Sequence, residues 1–436
     1  MSIQPDEGLK RVLGVPTLVA TVLNNTIGAG IYALPAIVAM QMGAAGILGY
    51  VFCYLIFFAI VLCYLEVGSR ITSSGGSYAY VEAAFGHFPG FIINSIFFFG
   101  WGIIGDAAVL NILADSLSVI YPVFAQPLVR ALLFFTLIGG MALINVRGAK
   151  EGVAFVVFLT IVKLLPLFFI IFFGFSHIQV SNLHWQHFPP LKSFGDTALV
   201  LFFTIAGFET SLNSSGEIKN PKRTIPKGIL LGTFLMLIIY SSIQLVAQGV
   251  LGAQLSQYKD APLAAVAETI IGPIGATLLL IATMISSFGN TSGDILSTPR
   301  LLFAGAKNGL FPKYLGKMHP KFATPYWAIL TYCGLIFIFS VSGGFKQLAI
   351  LASASLLLIY LSVVLSMIRL RFKKTEETEK AFKVPGGLII PIIAIVGIVW
   401  VLVNLSSKEI IAMAIFLAVL CVIYFVMNKL KPGKTA

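Results

Sequence analysis

Four places in this chain set polar chemistry inside apolar sequence. The first is Gly28-Ala29-Gly30, in NNTIGAGIYALP. Two glycines one residue apart weaken a helix's hydrogen-bond ladder, and unwound backbone at bilayer depth is tolerated only within protein or beside a cavity. A break there offers N–H groups to an anion and carbonyls to a cation; close helix packing through small residues explains the same run equally well. The second is FFTIAGFETS, with Gly207 near the middle of its apolar run and Glu209 two residues on. The third is Lys163, in TIVKLLPLFF, some 12 residues into its helix and too deep to snorkel easily. An ammonium at that depth costs about 2.5–3.5 kcal/mol on insertion scales, so it pairs, titrates or lines a water-filled path. The fourth is Asp106, in WGIIGDAAVL, with Val109 about one turn later.

Other chemistries find little footing. The five histidines fall in predicted loops, and His184 and His187 (HWQH) read as a solvated loop rather than a metal site. Cys53, Cys63, Cys333 and Cys421 lie singly in apolar runs, without CxxC spacing. No cluster of nucleophile, base and metal ligands supports an enzyme, no GxxxxGK[ST] loop supports ATP-driven transport, and no charged ring or filter supports a channel. Neither a cofactor nor a metal is expected.

The elements that position these residues follow from composition. Of 436 residues, 58% are hydrophobic and 11% charged, against roughly 25% charged in soluble domains. A span takes about 20 mostly apolar residues, and the apolar runs give twelve: 13–40, 46–69, 90–116, 129–145, 151–175, 193–214, 226–250, 273–302, 325–342, 346–368, 387–405 and 408–428. The segment 262–271 is too short to cross and is expected to form a small helix at the outer surface. With alternating sides, 23 of the 29 Lys and Arg fall on the side of the two termini and five on the other, leaving Lys163 in mid-membrane. That bias places both termini in the cytoplasm and makes the net charge of +12 a topological label, with no reason to invoke nucleic acid. The polar start, MSIQPDEGLKR, carries no features of a removable signal peptide. The glycine breaks of the first and sixth spans occupy matching positions in two five-helix halves, and an odd number of spans per half inverts the second, a pattern that points to a transporter site.

The chain resembles the amino acid–polyamine–organocation superfamily of permeases over nearly its whole length. The resemblance is carried by IGAGIYALP, SSGGSYAYVEAAFG, GFETSLNSSGEIKNPKRTIPKGI and STPRLLFAGAKNGLFPKYLGKMHPKFATP, in that order. It implies an all-α integral membrane protein of the LeuT type: two inverted five-helix repeats, here 13–175 and 193–368, two further helices at 387–428, and alternating access. By the same resemblance, N–H groups of Gly28, Ala29 and Gly30, with Ile31, hold a substrate carboxylate. Carbonyls of Thr26 and Ile27, and of Phe203 and Ala206 beside Gly207, hold the α-amino group. Phe203 matches an aromatic gate, with Phe202 and Phe208 close enough to be confused with it. Lys163 matches a lysine that replaces sodium in sodium-independent members, its partners being carbonyls around Gly28 and the hydroxyls of Ser286 and Ser287. It is either a proton-coupling group or a fixed charge that braces the fold.

Asp106 and Val109 match the side-chain pocket, where an acid suits a cationic substrate, a protonated hydrogen-bonding role or a polar network away from substrate. Ser353 and Ser355 are pocket or gate hydroxyls or packing residues, Glu209 organises the sixth-span break, Asp294 faces the cytoplasmic pathway, and Glu66 with Arg70 forms part of a cytoplasmic gate. The implied function is secondary active uptake of an amino acid across the plasma or inner membrane, sodium-independent and driven by protons. Exchange of amino acids or amines, and a non-transporting sensor, are the alternatives, in a monomer or homodimer.

Overall fold

The computed structural model describes residues 13–71, 75–147, 152–212, 218–307, 311–322, 324–372 and 382–429. The chain before residue 13 and the stretch 213–217, which holds part of the GFETSLNSSGEI motif and the end of the expected sixth span, lie outside the described residues. Every named element is helical. One isolated bridge, Leu13 with Ile218, is the sole β pairing among the described residues. Among the described residues, eight helical stretches are long and apolar enough to cross a bilayer, and four further apolar helices run 10–17 residues.

The first apolar run is divided. Helix α1 (Val15–Thr26) stops at the glycine run, and α2 (Gly30–Met42) begins after it. A positive φ at Gly43 then turns the chain into α3 (Gly46–Arg70), a conformation that glycine adopts without a Cβ penalty. After α4 (Gly76–Phe85), α5 (His87–Ser95) starts earlier than the sequence predicts, because Gly86, at φ +90°, ends one helix and begins the next. His87 therefore opens a helix and pairs with Glu82 instead of lying in a loop. The run continues as a π-helical stretch, Ile96–Ile103, into α6 (Ile104–Ile120). Such stretches re-aim side chains within a helix and recur at functional sites.

Helices α7 (Pro127–Arg147) and α8 (Gly152–Gly174) follow. The sixth apolar run is also divided: α9 (Leu191–Ile205) ends at Ala206 and Gly207, and α10 (Phe208–Ser211) resumes for one turn. Helix α11 (Pro221–Leu251) is long, and α12 (Pro262–Ile271) is the short helix expected before α13 (Pro273–Ser297). The first six residues of α12, Pro262 through Ala267, are all buried, so its N-terminal half packs into the body of the protein. The eighth run divides at Thr298, whose own backbone stays helical; Pro299 has no N–H to continue the hydrogen-bond ladder, and α14 (Pro299–Lys307) follows. Helices α15 (Tyr326–Ser342), α16 (Phe345–Phe372), α17 (Ile389–Val403) and α18 (Ser407–Lys429) complete the chain.

The core gathers α3, α11 and α16 around the two divided helices, with a second apolar cluster where α7 and α15 meet α6. The outside is apolar as well: Phe172 is 75% exposed and Phe425 62%, with Leu128, Val403 and Ile415 alike. So much exposed hydrocarbon suits lipid, not water.

Candidate functional site: a cavity between two interrupted helices

The two interruptions touch. Gly207 has φ +127°, and a Cβ there would lie 2.5 Å from the Asn25 carbonyl oxygen and 3.0 Å from Thr26 Cα, so only glycine fits. Asn25 binds the other way as well, its Nδ2 donating to Thr210 Oγ1 at 2.9 Å and to Ser211 Oγ at 3.3 Å.

Each helix end that the breaks create needs partners, since an unsatisfied backbone group in the membrane costs several kcal/mol. At the end of α1, Lys163 Nζ donates to the Asn24 carbonyl at 2.7 Å, and the Thr26 carbonyl accepts from Gly28 N–H and from the Tyr240 hydroxyl, both at 2.9 Å. The same Tyr240 oxygen lies 3.0 Å from the Thr204 carbonyl near the end of α9. Beyond that break, the buried Glu209 carboxylate accepts from Gly207 N–H at 3.1 Å and from Tyr360 OH at 2.9 Å. Gly30 and Ile31 open α2, where the N–H groups have no acceptor within their own helix.

Between these ends lies a cavity of about 550 Å³, well within the range of small-molecule sites. Its lining brings together Thr26, Gly28, Ala29, Gly30, Asp106, Val109, Lys163, Phe203, Ala206, Gly207, Ser286 and Asp294. Phe203 forms one wall: its ring packs on Trp101 at 5.8 Å and on Phe345 at 5.7 Å between centroids. A Cβ on Gly30 would meet the same ring at 3.5 Å, and one on Gly105 would meet it at 3.8 Å. The ring therefore stands between the α1–α2 break and the start of α6. Asp106 lies on that far side, 2% exposed, and accepts a 2.8 Å hydrogen bond from Tyr332 OH. Its carboxyl also faces that of Asp294, which in turn faces Lys163.

Several residues singled out in the sequence lie outside this lining. Ile27 and Ile31 are fully buried in the core beside the break. Ser287 points along its own helix, its hydroxyl donating to the Thr283 carbonyl at 2.9 Å, whereas Ser286 faces the cavity and its buried hydroxyl has no hydrogen-bond partner. Phe208 packs against Phe57, Tyr64 and Tyr360. Phe202 is buried against Phe57, and neither Ser353 nor Ser355 lines the cavity. Lys163 engages the Asn24 carbonyl, one turn before Gly28, and the Thr26 carbonyl expected to face an amino group already accepts from two donors.

Sequence reasoning passed over Asn25, Trp101, Tyr240, Asn290 and Tyr332. For Asn290 a signal existed: Ser286, Asn290, Gly293 and Asp294 recur at helical spacing in an apolar run and all line the cavity. The tyrosines sit in runs with no polar periodicity and gave no such signal.

Comparison with known proteins agrees with this architecture. Over 97% of its length the chain is 26% identical to the branched-chain amino acid permease BcaP of Bacillus subtilis, covering 94% of that protein. It is 27% identical to the serine/threonine exchanger SteT of Bacillus subtilis, with 91% of each chain covered. It is 25% identical to the Asc-type amino acid transporter 1 of Mus musculus over 89% of this chain and 75% of that one. The family model described as amino acid permease matches residues 13–430, and the chain belongs to that family.

Proposed function

We propose that the protein is a secondary active amino acid transporter, sodium-independent and driven by protons, that works by alternating access in the plasma or inner membrane. The observation that carries this reading is the Lys163 ammonium on the Asn24 carbonyl, at the edge of a cavity bounded by two interrupted helices. In this reading the twelve apolar runs are twelve spans with both termini cytoplasmic. Residues 13–175 and 193–368 form the inverted repeats, and the 387–428 helices stand outside them. The open N–H groups at the start of α2 receive the substrate carboxylate, as helix N-termini do for anions. The lysine supplies a positive charge that needs no sodium ion. Phe203 closes over the bound substrate, and Lys163 exchanges its proton as the cavity changes sides.

The relatives named as permeases and exchangers support amino acids as substrates. The purified protein in liposomes, offered each amino acid in turn, tests the reading. Uptake that accumulates with an inward proton gradient and ignores sodium is the expected result. Uptake that requires sodium, or that ignores the proton gradient, overturns the coupling. Labelled substrate that moves only when an amino acid is present on the opposite side indicates exchange.

A further inference from the structure

The cavity carries three charged side chains, Asp106, Lys163 and Asp294. If all were ionised, it would hold one negative charge without a partner, an expensive state at bilayer depth. The geometry shows how that charge is absorbed. The Asp106 and Asp294 carboxyls face each other in the same cavity with one lysine beside them, and a proton shared by the two carboxyls leaves the cavity neutral.

The titratable groups around the pair are few. Tyr332 and Cys333 of α15 face Asp106, and Lys163 of α8 faces Asp294. Arg130 of α7 is spent on Asp115 at 2.6 Å, further along α6.

The pair also has an address relative to the break. A substrate whose carboxylate sits on the first N–H groups of α2 would run past the Phe203 ring, which stands between Gly30 and Gly105, and reach Asp106. Phe97, Trp101 and Phe203 line this route and suit an alkyl chain ending in a cation. Ser286, with its buried hydroxyl unpartnered, adds an open polar group to the same cavity.

We propose that the Asp106–Asp294 pair exchanges its shared proton for the side-chain ammonium of a basic amino acid. The inference rests on the transport reading above and names its substrate class. For a basic substrate the proton released outside and regained inside offsets the one that Lys163 carries, so the substrate's own positive charge is what crosses. The balance is simple: the O–H bond between the carboxyls breaks, the proton leaves to water, and one ammonium takes its place, so the charge of the cavity is unchanged. A neutral amino acid leaves the proton where it is.

Calorimetry of lysine, ornithine and leucine binding to the full-length protein at pH 7, in two buffers of different protonation enthalpy, counts the protons. About one proton released per lysine or ornithine, and none per leucine, is expected. Asp106→Asn and Asp294→Asn should each abolish the release and weaken lysine binding about tenfold or more, equivalent to 1.4 kcal/mol or more. Tyr332→Phe, which keeps both carboxyls, should still release the proton. Lysine bound without proton release, or not bound while leucine is bound and transported, overturns the inference and leaves the transport reading standing. The wild-type count decides even if an Asn variant fails to fold. Failure of every amino acid to bind or cross removes both.

Discussion

The Glu66 carboxylate grips the Arg371 guanidinium by both oxygens, joining the end of α3 to the end of α16 across 305 residues of sequence. Glu66 is fully buried and also accepts from Arg70 Nη2 at 2.6 Å and from the Val384 N–H at 2.8 Å. Arg371 Nη1 reaches the Gly387 carbonyl at 2.5 Å as well. One carboxylate thus holds two helix ends and the chain entering α17.

Breaking this cluster from the acidic side strands two guanidinium groups. Removing one partner of a buried pair costs about 3–5 kcal/mol, and here the N–H of Val384 loses its acceptor too. Glu66→Ala should therefore lower the melting temperature strongly, whereas Arg70→Ala leaves the two-oxygen grip of Arg371 and should cost less. Thermal unfolding of the two variants in detergent checks the order. Equal melting temperatures would show that the cluster adds no stability.

The contact between the two breaks gives a sharper steric prediction. Gly207→Ala forces a Cβ into the Asn25 carbonyl at 2.5 Å and a side chain onto φ +127°. Strain of this kind costs about 1–3 kcal/mol before the clash is counted. We expect the variant to lose uptake and to melt earlier. Gly139→Ala, where a Cβ meets nothing within 4 Å, is the control; in the interior of α7 it should be neutral or stabilising by up to about 1 kcal/mol.

These two positions show how much of the molecule was legible in the sequence. Gly207 and the Gly28–Gly30 run announced themselves because they interrupt the first and sixth apolar runs at matching positions of two five-helix halves. Lys163 and Asp106 stood out as charges where charge is costly. The partners were less visible. The Asn24 carbonyl meets Lys163, the Tyr240 hydroxyl meets both breaks and the Asp294 carboxyl meets Lys163 only through the fold, and no local pattern encodes a contact between α1 and α11. The π-helical stretch at Ile96–Ile103 was equally hidden, since its residues form an unbroken apolar run that reads as ordinary helix. Ser286 and Ser287 show the finest limit: one residue of rotation on α13 separates a cavity hydroxyl from one bonded to its own helix.

Tyr240 deserves its own test because it serves both breaks. Its hydroxyl lies 2.9 Å from the Thr26 carbonyl and 3.0 Å from the Thr204 carbonyl. Tyr240→Phe keeps the ring and removes the donor, so a buried carbonyl loses its partner at a cost of about 1–3 kcal/mol. The melting temperature should fall, and substrate affinity with it, because the two half-helices lose a shared anchor. An unchanged affinity in a destabilised protein would confine the hydroxyl to a structural role.

Lys163 separates coupling from bracing. Lys163→Ala removes the donor to the Asn24 carbonyl and leaves Asp294 without the positive charge it faces. If the ammonium carries the proton, the variant in liposomes should still exchange labelled for unlabelled substrate across the membrane. It should fail to accumulate substrate when a proton gradient is imposed. If the ammonium only braces α8 against α1, exchange and accumulation should fall together, and the melting temperature with them. The two activities measured on one preparation therefore decide between a proton carrier and a fixed charge. Accumulation that survives the substitution would move the coupling proton elsewhere in the cavity.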